Sequence, residues 1–261
     1  MLIDSHCHLD AAEFDADRDL VVARARAAGL GLLVVPAVAA DAFERAADAG
    51  RRYPECRIAY GIHPLYAERA APERDLAMLE QRLAAGEVVA VGEIGLDLYQ
   101  GHPDFDRQQR VFVAQLELAR RFDLPVLLHV RRAVDAVLKQ LRRIRVPGGI
   151  AHAFNGSRQQ ADQMIGLGFG LGFGGAMSYP GSRRIRELAA TLPLSAIVLE
   201  SDAPDMPPAW ARGQRNEPAQ VARYAQVLAE LRDVPRELVE EETSRNVGRC
   251  LPRCGLGRRA A

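Results

Sequence analysis

Six side chains of metal-binding type stand at matching places along this chain. His6 and His8 form a His-x-His pair, while Glu93, His129, His152 and Asp202 each end or follow a short apolar run. In extended chain, alternate residues point to the same side, so both imidazoles of His6-Cys7-His8 face one way and Cys7 faces the other. Glu93 follows Val88-Val89-Ala90-Val91-Gly92, and a carboxylate ending such a run is costly to bury without a cation. Glu200 and Asp202 lie two apart after Val198-Leu199, so one can bind metal while the other orients a ligand from behind. A catalytic zinc takes about three protein ligands plus water. Four histidines and two carboxylates exceed that need, whereas two ions sharing a bridging carboxylate would use all six. Paired ions about 3.5–4 Å apart clamp the attacking and leaving oxygens of a phosphoryl displacement. Imidazole and carboxylate donors suit transition metals better than calcium. Two divalent cations are expected, drawn from zinc, manganese, magnesium or iron.

The elements that must position these groups follow a regular order. Candidate strands cover Leu2–Asp4, Gly31–Val35, Arg57–Gly61, Val88–Glu93, Val126–Val130, Gly149–Ala153, Phe169–Phe173 and Ala196–Glu200. They are short and nearly free of polar residues, as strands buried on both faces are. Helical patterns lie between them at Asp15–Ala28, Asp41–Arg52, Glu73–Ala85, Asp104–Phe122, Ala133–Arg143, Ser157–Leu167 and Glu217–Leu231. Ser157 suits an N-cap, Pro218 a first helical turn, and Gly29 and Gly86 helix stops. Strands alternating with helices imply a parallel sheet, open or closed into a (β/α)8 barrel. His6 and His8 follow the first strand, His63 the third, His129 ends the fifth and His152 the sixth; only His102 lies elsewhere. In a closed barrel all carboxyl ends open onto one face, where barrel active sites are built. The clustering therefore favours a TIM-type barrel, spanning 1–261 as one domain with 250–261 as a short tail.

Charge is balanced, 34 Lys+Arg against 34 Asp+Glu, which argues against a broad basic surface for nucleic acid. The start of the chain lacks a signal-peptide pattern and its most apolar stretch, Gly29 to Ala40, is too short to span a bilayer. A cytoplasmic protein with no membrane association and no obligate protein partner is expected. Cys7, Cys56, Cys250 and Cys254 do not read as a disulfide framework, and Cys250-x3-Cys254 lacks a second pair for structural zinc.

These motifs resemble the TatD-type metal-dependent deoxyribonuclease family, within the amidohydrolase-like metal hydrolases. Asp4-Ser5-His6-Cys7-His8-Leu9, Gly61-Ile62-His63-Pro64, and Gly92-Glu93-Ile94-Gly95-Leu96-Asp97 with Arg107-Gln108 are similar to its first three motifs. Leu124 to His129, His152-Ala153-Phe154-Asn155-Gly156-Ser157, Glu200-Ser201-Asp202-Ala203-Pro204 and Asn216-Glu217-Pro218 complete the set in order. The resemblance covers nearly the whole chain. It implies that His6, His8, Glu93 and Asp202 hold one ion while Glu93, His129 and His152 serve the other, and that His63 and Arg131 contact substrate. Val130 and Asn155 stand where relatives commonly have Ser. Many related binuclear hydrolases bridge their metals with a carboxylated lysine at the end of strand four. Glu93 stands there, and the single lysine, Lys139, falls in an expected helix.

The implied chemistry is phosphodiester hydrolysis at DNA strand ends or in short single strands. A metal-bound hydroxide would be the nucleophile and Asp202 the proton acceptor. Glu200 would support the ligands from behind. Hydrolysis of a small ester, lactone or amide is the alternative, and non-catalytic metal binding a weaker one. Tyr99, Phe154, Tyr179 and Trp210 fall in loops where they could stack bases or pack over the rim. Arg142-Arg143-Arg145 and Arg183-Arg184-Arg186 read first as solvated helix faces and second as nucleic-acid contacts, whereas Arg131, just past His129, reads first as a contact.

Overall fold

The computed structural model describes every residue except 68, 70, 100–103 and 256–261, so His102 lies outside the described residues. Its strands are β1 (Leu2–Asp4), β2 (Leu30–Ala37), β3 (Cys56–Tyr60), β4 (Ala90–Asp97), β5 (Val126–Arg131), β6 (Gly149–Ala151), β7 (Phe169–Phe173) and β8 (Ile197–Leu199). They pair in parallel in sequence order, β1 through β8. The last gap is narrowed by two backbone bonds: Ser5 N–H donates to the Leu199 carbonyl at 3.0 Å and Asp202 N–H to that of His6 at 2.9 Å. The result is a nearly closed TIM-type (β/α)8 barrel.

Alternation explains why the strand sequences are apolar throughout. Leu33, Val35 and Ala37 of β2 pack outward in one cluster with helix residues such as Val22, Phe43 and Ala46. Leu32 and Val34 turn inward and meet Ile3, Ala59, Leu127, Ile150 and Val198 inside the barrel. Neither face is left to water, so neither carries the polar half of an ordinary amphipathic strand.

The connecting helices are α1 (Arg18–Ala27), α2 (Phe43–Arg52), α3 (Pro72–Ala84), α4 (Phe105–Arg121), α5 (Val134–Arg143), α6 (Arg158–Gly166), α7 (Arg183–Thr191), α8 (Val221–Arg232) and α9 (Arg236–Cys250). Ser157 caps α6 in a reciprocal capping box with Gln160, two orphan backbone donors being satisfied at once. Helix α9 is absent from the sequence expectation, and α7 enters it only as the helix face of Arg183-Arg184-Arg186, without bounds. Both open on arginine-rich or acidic turns, where the apolar spacing that betrays a helix is thin.

The floor of the barrel is closed by the end of α9. Val247, Cys250, Leu251 and Cys254 belong to the same buried cluster as the inward strand residues. Within 250–254, Cys250, Leu251 and Cys254 are thus packed against the barrel interior, while Pro252 and Arg253 are exposed. All four cysteines are free and buried. Among the described residues, no helix is long and apolar enough to cross a membrane.

Candidate metal centre

Glu93 is not at the end of its strand, as its sequence suggested, but in the middle of β4. The reason is a bulge: Val91 pairs with Val126 and Ile94 with Leu128, so three steps on β4 answer two on β5. The extra residue bends the strand and Glu93 lies on the barrel axis side, 1% exposed. Gly95 makes the next step possible, since a Cβ there would stand 1.9 Å from the His129 carbonyl oxygen.

The two carboxylate oxygens of Glu93 face different sets of nitrogens. Oε2 lies 3.2 Å from His6 Nε2 and 3.5 Å from His8 Nε2. Oε1 lies 2.8 Å from His152 Nε2, 3.0 Å from His129 Nδ1 and 3.5 Å from His63 Nε2. Asp202 Oδ1 joins the first set, 3.8 Å from His6 Nε2 and 3.6 Å from His8 Nε2. All six side chains singled out in the sequence therefore meet at one place, Glu93 from the middle of β4 and the others from within β5 or from the turns after β1, β6 and β8. His63 meets them too: its Nε2 stands among the possible donors, its Nδ1 accepting from Leu65 N–H at 3.1 Å.

Several contacts bring ring nitrogens close enough to share a proton or a cation. His6 and His8 oppose Nε2 to Nε2 at 3.3 Å, and His129 Nδ1 opposes His152 Nε2 at 3.2 Å. Two nitrogen lone pairs aimed at each other repel unless a proton or a metal ion lies between them. His6 Nδ1, His152 Nδ1 and Glu200 Oε2 are buried with no hydrogen-bond partner. Imidazole and carboxylate donors of this kind fit divalent transition metals. His6, His8, Glu93 and Asp202 could hold one ion, and Glu93, His129 and His152, with His63 alongside, a second.

The electrostatics point the same way. Burial would raise the Glu93 carboxyl, but the charges of His152, His63 and His6 hold it well below its ordinary range. Burial likewise opposes the charged form of His152, yet Glu93 and Asp202 lift it to about 10; His8, also opposed by burial, is lifted to about 9 by its hydrogen bond to Asp202 and by the Glu93 charge. The raised values of His8 and His152 mean that protons would compete with cations for these two nitrogens, so metal binding there would be pH-dependent. Burial, against the lowering effect of His152 and of the Ala153 N–H, raises Glu200 to about 8. That side chain fits because residue 172 is glycine: a Cβ there would come within 2.1 Å of Glu200 Oε2. Glu200 Oε1 accepts from Ala153 N–H and sits 3.9 Å from His152 Nδ1.

Asp202 is placed by two other side chains. Asp4 Oδ1 accepts from Ser201 N–H at 2.9 Å and its Oδ2 from Ser201 Oγ at 2.5 Å, tying β1 to the turn after β8. Asn216 Nδ2 donates to the carbonyls of Ser201 at 2.7 Å and Asp205 at 2.8 Å. Asp202 itself takes a left-handed conformation, φ 56°, which Asp tolerates better than most residues.

Residues 3–252 match the family described as TatD related DNase. The chain belongs to the TatD family. The metal-dependent hydrolase YjjV of Escherichia coli, carrying the label uncharacterized, is 42% identical over 247 residues, 94% of this chain and 95% of that protein. The YjjV crystal structure superposes with a TM-score of 0.93 over 96% of this chain and 98% of that one. The mouse protein TATDN3, whose name proposes a deoxyribonuclease, is 33% identical over 266 residues, 97% of this chain and 88% of that protein.

In this TatD-family chain the motifs supply more than ligand candidates. Asp97 ends β4 and its Oδ2 lies 2.9 Å from His129 Nε2. The carboxylate favours the proton on Nε2, which leaves the Nδ1 lone pair on the Glu93 side, available to a metal ion. Sequence reasoning quoted Asp97 without assigning it. The signal existed: an acid after Ile94-Gly95-Leu96 is the pattern that drew attention to Glu93. Replacing Asp97 with Asn is expected to weaken metal binding or activity by about 10–100-fold. Zinc titration with a competing chelator checks this, and an unchanged affinity together with unchanged turnover would dismiss the role.

The aromatic candidates divide. Phe154 is buried and Trp210 donates to Gln220 Oε1 at 2.9 Å beneath the Arg223 guanidinium. Tyr179 donates its hydroxyl to the Pro207 carbonyl at 2.9 Å. Tyr99 remains 46% exposed, but the Arg131 guanidinium lies over its ring at 3.5 Å. Arg131 thus reaches the cleft already stacked, its planar fork held in place.

Proposed function

We propose that this TatD-family chain is a metal-dependent hydrolase that cleaves phosphodiester bonds in DNA, at strand ends or in short single strands. The observation that carries the reading is the division of Glu93, one oxygen toward His6 and His8 and the other toward His129 and His152. A carboxylate divided in this way could serve two divalent cations at once, one held with His6, His8 and Asp202 and the other with His129 and His152. When bound, such a pair lowers the pKa of water toward neutrality and offsets charge on phosphoryl oxygens.

The chain's own groups have separate tasks. Asp202 accepts a proton at its carboxylate. Burial would raise that carboxyl, but the His8 hydrogen bond and the nearby His152 and His6 hold it below its ordinary value, so the base is ionised at neutral pH. His63 and Arg131, on the cleft wall, orient the phosphate, Arg131 through its two-pronged guanidinium. Glu200 keeps His152 in register from behind. The cleft above these residues, about 1010 Å³, has room for a strand end or a few nucleotides. The name given to mouse TATDN3 supports the choice of DNA.

The test is incubation of the metal-supplemented protein with end-labelled single-stranded and double-stranded DNA, with RNA, and with a panel of small esters, lactones and amides. Release of short products from single-stranded DNA or fraying ends is expected. Turnover confined to the small esters, lactones or amides would replace the phosphodiester reading with the alternative one.

A further inference from the structure

The two walls of the cleft differ in charge. Asp10, Glu13, Asp202 and Asp205 line it on the side of β1 and β8, while Arg131 and Asn155 line it past β5 and β6. Arg45 also reaches the acidic side, but its guanidinium is committed to the Asp10 carbonyl at 2.9 and 3.0 Å and to Asp15 at 2.7 Å. A polyanion entering the cleft is therefore steered to the β5–β6 wall.

On that wall a second cation waits behind Asn155. Arg184, in the first turn of α7, donates from both Nε and Nη2 to Asn155 Oδ1, at 3.0 and 2.8 Å. A guanidinium only donates, so the amide must present its oxygen to Arg184 and its Nδ2 away from it. Among the described residues, neither Asn155 Nδ2 nor Arg184 Nη1 has a hydrogen-bond partner, and no carboxylate pairs with Arg184. Both residues are exposed, and Asn155 stands three residues beyond His152. Two fixed donor groups, one charged, are thus held side by side at the rim with unspent hydrogens, which is the donor pattern that grips phosphate oxygens.

We propose that Asn155 and Arg184 form a phosphate subsite that takes the phosphodiester next to the one at the metal centre in a single DNA strand. The proposal rests on the phosphodiesterase reading above and deepens it. It makes a substrate with a second phosphate better bound than one with a single phosphate. It also explains why Asn155 is held by an arginine instead of turning freely on the rim.

The test is binding of a fluorescein-labelled single-stranded DNA hexamer to the full-length, metal-loaded protein carrying Asp202→Asn, followed by anisotropy over a range of salt concentrations. One phosphate contact on a single strand contributes about 0.7 to the slope of log K against log salt. Adding Arg184→Ala should flatten the slope by about 0.7 and weaken binding roughly tenfold. Asn155→Ala should weaken binding in the same direction, whereas Arg183→Ala, one residue away and exposed, should leave the slope in place. An unchanged slope in Arg184→Ala, or an equal loss in Arg183→Ala, overturns the subsite. Cleavage of DNA by the parent protein with no change of slope would remove the subsite alone. The expected loss of slope in a protein that cleaves no DNA would remove the phosphodiesterase reading and leave the subsite.

Discussion

Replacing Glu93 with alanine is expected to lower turnover by at least about 10³-fold and to reduce bound metal from two ions per chain to one or none. The size follows from position. One carboxylate faces five imidazole nitrogens, from His6, His8, His63, His129 and His152, all within 3.5 Å of its oxygens. Its loss removes a ligand from both halves of the site at once and leaves nitrogens that repel one another. No neighbouring acid can take its place: Asp97 is engaged with His129 and Glu200 with Ala153. Metal content by plasma mass spectrometry and a cleavage assay on the same preparation decide the matter. Two ions retained with full turnover would abolish the bridge.

Asp202→Asn is expected to cut turnover by about 10²–10⁴-fold, the range for loss of a proton acceptor, while the metal content stays near that of the parent. The two readings separate this residue from Glu93. Asn keeps the shape of the side chain and an oxygen toward His6 and His8, but it cannot take up a proton. It also tolerates the left-handed backbone at residue 202 (φ 56°), where alanine would add strain to the chemical change. A thermal melt close to the parent's confirms an intact fold. Unimpaired cleavage would move the proton acceptor to another residue.

Much of this was legible in the sequence because two strong signals coincide. Apolar runs at regular spacing gave the eight strands, and acids or histidines at the ends of those runs gave the six side chains that meet at the centre. What stayed hidden was geometry that leaves no mark in composition. The bulge that turns Glu93 inward is set by pairing with β5, and a strand read alone shows no register. Asp4 acts through Ser201, 197 positions away, so nothing local distinguishes it from a surface acid. The stacking of Arg131 on Tyr99 likewise joins separate loops, and the sequence offered Tyr99 to bases instead. His63 was read as a substrate contact, and its distance to Glu93 places it equally among the donors.

The plug formed by α9 bears on how the molecule comes into being. Ribosomes release chains amino end first, so the strands lining the interior emerge long before Val247, Cys250, Leu251 and Cys254 can cover them. Ser244 Oγ then reaches back to the Met1 carbonyl at 2.9 Å, and Asn246 holds the carbonyls of Leu194 and Ile197. A nascent chain stalled before α9 carries an unsealed apolar bore, the kind of surface on which chaperones bind and proteases act.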